Sequence, residues 1–194
     1  GLSDWLHPMA GAITGFADTG GPRTLSGRLE QAWNAAFPLV LPPESPDGLG
    51  VIALNSNADT HFSFTNALGL VSAEQMGRVK EAAGLYPQAR WIVALHHHVV
   101  EYPRRSKLLS LRIGTALING SWVVRQLRTL GRRAVVMHGH RHIDWVGVCG
   151  PLTVVSAPSP VMAKGEAYFH IHSFAAGRDG ALRLVGGERV EVEA

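Results

Sequence analysis

A single cysteine, Cys149, leaves nothing for an internal disulfide framework and points to a reducing, cytoplasmic setting. No apolar stretch approaches the ~18–20 residues that a spanning helix needs, so no membrane partner is expected. The first turns of chain also lack the charged-then-apolar pattern of a secretory signal. Charge of one sign is scarce, since 18 basic residues against 15 acidic leave a formal +3. The arginines, among them Arg23, Arg28, Arg78, Arg90, Arg104 and Arg105, are scattered without interleaved aromatics. A nucleic-acid interface needs a concentrated basic stripe, so nucleic acid is excluded as an expected partner. Arg125, Arg128, Arg132 and Arg133 read instead as a solvated helix end favoured by the helix dipole. There is no internal repeat and no low-complexity tail.

What is present is a core. In 194 residues, 46% are hydrophobic and 17% charged, enough for one domain or a large piece of one. Residues 7–25 are rich in glycine and small side chains and read as an irregular connection. A short helix is expected over 27–37, capped by Ser26. After the turn-rich 41–50, the apolar run 51–56 reads as a buried strand. Ser72 and Gln75 form a capping box that opens a helix bearing Met76, Val79 and Ala83 on one face, with Gly84 as its stop. Strands follow at 90–95 and 133–137, separated by helices near 106–118 and at 121–130, the second closed by Gly131. Beyond residue 142 short strands are expected at 143–148, 152–156, 166–172, 181–185 and 188–193, as an antiparallel meander. The alternation up to residue 142 predicts α/β layers with some parallel pairing.

The informative residues are histidines. Six of the ten sit in two knots, WIVALHHH at 91–98 and VVMHGHRH at 135–142, each behind a run of strand formers. In an extended chain side chains at i and i+2 share a face about 6.5–7 Å apart. His140 and His142 are therefore expected to converge on one cation or on two adjacent ones, with Gly139 allowing a tight turn. His96 ends a strand whose carboxyl end should lie beside theirs, the usual place for a site in a layered α/β fold. Three neutral imidazoles there suit zinc, iron or manganese. Histidines such as His7, His61 and His172 read as surface or hydrogen-bonded core residues. If the run stays extended, His97 is expected to point away from His96 and His98, as a group behind the ligands, as a substrate-facing group, or simply exposed. His138 lies deeper on the face of His140 and, with His98 and Asp144, is placed behind the ligands, where it would orient them.

These knots resemble the last two motifs of the calcineurin-like metallophosphoesterases, a histidine closing a hydrophobic strand followed by G-H-x-H. The segments GLGVIALNSN, LGLVSAEQMGRV and VVSAPSP resemble the connecting segments of bacterial phosphodiesterase-like members, so the resemblance runs from about residue 33 onward. It implies a mixed α/β (α+β) fold, with residues 1–194 as the C-terminal half of a four-layer αββα sandwich. It also implies hydrolysis of a small-molecule phosphomono- or phosphodiester by a metal-activated hydroxide, with a metal pair (Mn, Fe or Zn) in the complete enzyme. His96 and His140 would serve one metal and His142 the other, with His97 as a catalytic group. Arg104, Arg105 and Arg141, near the knots, are candidates for substrate phosphate.

The family's D-x-H, G-D-x-x-D and G-N-H-[DE] segments, which come earlier in its members, are not matched here. Asp59 and His61 make a D-x-H, but they follow ALNSN, where the family carries a variable loop, and they are not read as ligands. Three neutral histidines cannot offset two dications, so the isolated chain is expected to hold one metal or none and to be inactive. The favoured reading is half of a phosphoesterase whose N-terminal half lies upstream. The others are a non-catalytic binding or assembly module of the same fold and a mononuclear three-histidine hydrolase. Half a sandwich should leave an apolar face or strand edge bare, to be covered by the missing half or by self-association.

Overall fold

The computed structural model describes residues 35–57, 68–102, 117–161 and 167–192. The strands are β1 (Leu39–Leu41), β2 (Leu49–Ala53), β3 (Arg90–Ala94), β4 (Ala134–His138), β5 (Trp145–Cys149), β6 (Leu152–Ser156), β7 (Tyr168–Ala176) and β8 (Leu182–Glu191). The helices are α1 (Ala73–Leu85) and α2 (Gly120–Leu127), the latter running into a 3-10 turn over Arg128–Arg133. Most of the helix expected at 27–37, the one near 106–118, and Arg104, Arg105, Asp59 and His61 lie outside the described residues.

The chain folds as a mixed α/β structure with one six-stranded sheet, ordered β1-β2-β3-β4-β6-β5, and a separate two-stranded sheet, β7-β8. The four inner strands run parallel, while β1 and β5 pair antiparallel at the two edges. Inner strands buried on both faces need continuous apolar runs, and that is what β3 and β4 supply. Trp91 and Val93 of β3, Ala134 and Val136 of β4, and Leu152 and Val154 of β6 line one face, where Met76 and Val79 of α1 and Val123, Val124 and Leu127 of α2 cover them. The opposite face presents Ile92, Val135, Met137 and Val155, against which Phe174, Leu182 and Leu184 of the hairpin pack. Helices, large sheet and hairpin thus make three layers around two unequal cores.

Several expectations need correction. Ser72 Oγ does accept from Gln75 N at 3.1 Å, but the Gln75 side chain does not return to close the box. It turns inward and clasps the Asn55 backbone, accepting from Asn55 N and donating to Asn55 O, both at 2.9 Å. A buried amide must find partners, and the strand tip offered two at once. Gly84 does not stop α1, which runs through Leu85 to a cap at Tyr86. Gly131, by contrast, does break the second helical run as expected, at φ 64. The two last strands expected are one, because Gly186 and Gly187 lie inside β8 instead of forming a turn. The segments after residue 142 do not form a single meander, since β6 joins the main sheet parallel to β4.

Gly50 sits where β2 crosses beneath the Trp91 indole, and a Cβ there would lie 2.4 Å from Trp91 Cζ3. Trp91 is fully buried and has nowhere to retreat. Gly50→Ala is therefore expected to destabilise the fold by about 1–3 kcal/mol, read as a lower urea midpoint with unchanged slope.

Candidate functional site

The parallel register brings three strand tips to one level. Beyond the last paired residues, Leu95 N donates to Met137 O at 3.0 Å and Gly139 N to His96 O at 3.1 Å, so β3 and β4 stay stitched together into the histidine knots. Leu54 N donates to Ala94 O at 2.8 Å, which ties the end of β2 to the same level. Carboxyl ends of adjacent parallel strands are where such folds place their sites.

His96 and His140 meet there. His96 Nε2 and His140 Nδ1 are 2.7 Å apart, and the ring centroids are 4.6 Å apart and nearly perpendicular. One nitrogen must carry a hydrogen and the other must accept it, so a second proton on the pair would oppose two charges at contact distance. The His140 pKa is accordingly lowered, first by burial and then by His96, His98, His142 and Arg141. Its other ring nitrogen, Nε2, is buried and has no hydrogen-bond partner.

The loop after β4 is not extended. His140 and His142 both adopt left-handed backbone, at φ 68 and φ 52, while Gly139 does not. The expectation that an i, i+2 pair on a continuing strand brings these rings together is corrected: β4 ends at His138, and the turn, not the pleat, sets their directions. Left-handed geometry costs an L residue roughly 1–3 kcal/mol and persists where the surroundings impose it, which is common at ligand clamps. Two such residues in three mark this loop. His142 is exposed and makes no hydrogen bond or ring contact among the described residues; it bears on His140 through charge.

His97 turns into the protein. It is fully buried, its ring 4.6 Å from that of His140 and 5.0 Å from that of His96. Ser56, just past the tip of β2, lies 2.9 Å from His97 Nδ1, and its oxygen also accepts from His97 N at 3.2 Å. Gly69 passes so close that a Cβ there would sit 2.5 Å from His97 Cγ.

His98 and His138 form a deeper pair. Both are fully buried and none of their four ring nitrogens has a hydrogen-bond partner. The Tyr102 ring stands between them, 5.7 Å from His98 and 6.0 Å from His138. Its hydroxyl is 2.8 Å from Ser156 Oγ, which in turn donates to Ile143 O at 2.6 Å. Arg141 lies over the same ring at 5.7 Å. Burial lowers the His98 pKa, against the pull of Glu101. Burial pushes His138 down to about 4, helped by His98; the Gly139 backbone opposes the shift without making a hydrogen bond of normal geometry.

Asp144 does orient an imidazole, but not one of either knot. Its Oδ2 is 2.9 Å from His170 Nε2 and accepts from the Tyr168 hydroxyl at 3.2 Å. His170 stacks on His172 at 5.5 Å, and Arg189 lies over Tyr168 at 4.0 Å. The alternation of Tyr168, His170 and His172 along β7 was the available sign of a shared face; their partner is 26 residues away from His170 and invisible in the local pattern.

No group of three or more His, Cys, Asp or Glu side chains among the described residues is arranged to hold a metal ion. Among those residues, too, no helix is long and apolar enough to cross a membrane. No protein-family model matches the chain, and no curated protein does. Among solved structures, a single mutant of Vps29 from Entamoeba histolytica is similar at 11% identity, with 74% of this chain and 99% of that one covered and a TM-score of 0.23. An overlap of that quality adds no weight to the geometry above.

The buried neutral histidines make stability depend on pH. The unfolded chain takes up the His138 proton near 6.5, the folded chain only near 4. Stability is thus complete above pH 6.5 and falls as pH drops through that window, by about 3 kcal/mol in all for this residue. His138→Gln is expected to flatten the slope of unfolding free energy between pH 6.5 and 4; an unchanged slope would assign the loss elsewhere.

Proposed function

We propose that this chain carries the histidine portion of a metal-dependent phosphoesterase centre, with residues 1–194 forming the C-terminal part of one metallophosphoesterase domain. The observation that carries the reading is the His96–His140 contact at the tips of adjacent parallel strands, with a buried unpartnered nitrogen on His140 and strained backbone at His140 and His142. The ordered motifs of the sequence lead to the same residues.

The donors fit one divalent cation in part. Neutral imidazoles suit zinc, iron or manganese, and the His140 pKa is lowered by burial first and then by the neighbouring imidazoles and Arg141. They do not fit a pair of cations, because no carboxylate joins them in a ligand group among the described residues. A cation pair is therefore proposed only for a longer chain that contributes carboxylates. When bound, the metal would supply Lewis-acid polarisation of a phosphoryl oxygen. The protein's own part is to hold His96 and His140 at fixed separation, to bring His142 up on the loop, and to set His97 beside them. Arg141 offers a guanidinium near His140 for a substrate phosphate, with Arg105 the other candidate.

A second reading, a non-catalytic binding or assembly module of the same fold, is favoured by the incomplete ligand group. A turnover assay with bis(p-nitrophenyl) phosphate and added Mn²⁺, on this chain and on a longer product containing it, separates the two. The half-enzyme reading expects turnover only in the longer product. There, His140→Ala and His96→Ala should lower activity and metal affinity by more than the roughly 10–100-fold that loss of an outer partner costs. Absence of metal and of turnover in both would establish the module, and turnover in this chain alone, lost in His140→Ala, the mononuclear centre.

Either reading involves a covering partner. Phe169 and Ile171 of β7, Val185 of β8, and Val146 and Val148 of edge strand β5 are exposed. The proposed occupants are the missing half or a second copy. In the absence of the former, the chain should sediment as an oligomer that Val148→Lys with Ile171→Lys dissociates; a single monomeric boundary for the native chain would refute it.

A further inference from the structure

We propose that Ser56 is a positioning residue whose hydroxyl donates to His97 Nδ1 and so holds His97 as the Nε2–H tautomer, a hydrogen-bond donor next to His140. Ser56 lies outside both histidine knots, 41 residues before His97 in the chain, and is fully buried.

A serine hydroxyl has one hydrogen and two acceptor lone pairs. One lone pair is taken by the His97 backbone N–H at 3.2 Å. Among the described residues the hydroxyl hydrogen has a single acceptor in reach, His97 Nδ1 at 2.9 Å. Were Nδ1 to carry a hydrogen, it would have to donate to Ser56, and the buried hydroxyl hydrogen would be left without a partner. That loss biases the ring toward Nε2–H by roughly tenfold to a hundredfold. The ring cannot swing away to escape the choice. Gly69 backs it at a distance no side chain would permit, and the His140 ring stands 4.6 Å off at a 39° tilt.

The assignment separates His97 from its neighbours in chemistry. A nitrogen that carries a hydrogen is not a metal ligand, and Nδ1 is occupied by Ser56. His97 is thus a neutral imidazole whose hydrogen sits on the nitrogen turned away from Ser56, a support beside the His96–His140 pair and not a ligand within it. The description of His96 and His140 as ligands rests on the phosphoesterase reading; the tautomer does not.

The test is long-range ¹H–¹⁵N correlation of the imidazole rings in this chain, without metal or substrate, with His97 assigned by the signal lost in His97→Gln. The native chain is expected to show the Nε2–H pattern for His97, and Ser56→Thr, which keeps the hydroxyl, to preserve it. Ser56→Ala should raise the Nδ1–H share at least several-fold. Ser56→Cys, a weak donor of similar shape, replaces it with the same expectation should the alanine variant not fold. An Nδ1–H pattern in the native chain overturns the proposal, and so does a folded Ser56→Ala or Ser56→Cys with an unchanged pattern. If the tautomer is as stated and the longer product proves inactive, the phosphoesterase reading fails while the role of Ser56 stands.

Discussion

The parallel register of β2, β3 and β4 is the constraint on which the site depends. Parallel neighbours end on the same side, so whatever follows each strand is delivered to a common rim. Here β2 delivers Ser56, β3 delivers His96 to His98, and β4 delivers His138 to His142. The bond from Gly139 N to His96 O continues the ladder past the strands and fixes the separation of the two knots. A slip of one residue between β3 and β4 would exchange side chains fitted to the helices with those fitted to the hairpin and also draw the imidazoles apart. Fold stability and site geometry therefore share the same hydrogen bonds.

The two knots divide into an outer and an inner tier with different electrostatic characters. His96, His140 and His142 lie at the rim, half-exposed or exposed, where a proton or a cation can reach them. His97, His98 and His138 are sealed beneath. Sealing costs unmet hydrogen bonds at His98 and His138, and a protein retains such groups only where the surrounding packing compensates. The aromatic surface of Tyr102 and the Tyr102–Ser156–Ile143 chain provide that packing and anchor the start of β5 to the end of β6. The polar tier is thus part of how the strand tips are held, as well as of what they hold.

The sequence made the inner strands and the identity of the rim histidines legible, because buried parallel strands leave apolar runs and imidazoles at their ends stand out against them. What it hid was of three kinds. Backbone choices escaped it: the histidines, not Gly139, take the left-handed conformation, and Gly186 and Gly187 continue a strand, since a paired neighbour can override local preference. Long-range side-chain partners also escaped it, among them Gln75 with Asn55, Asp144 with His170, and Ser56 with His97, because hydrogen bonds across 20 to 41 residues leave no spacing to read. Finally, the direction of His97 was open, because it depended on whether the run stayed extended; the chain bends just past β3, and the bend, not the pattern, buries the ring.

The clasp of Asp144 on His170 and Tyr168 reaches further than the two side chains it joins. Only Ile143 separates Asp144 from His142, too short a span of chain to absorb movement. The small sheet is thereby geared to the rim loop, and a shift of β7 would pass to His142 almost undamped. Whatever seats itself on the outer side of the hairpin acquires leverage over the imidazole of His142 at the strand tips.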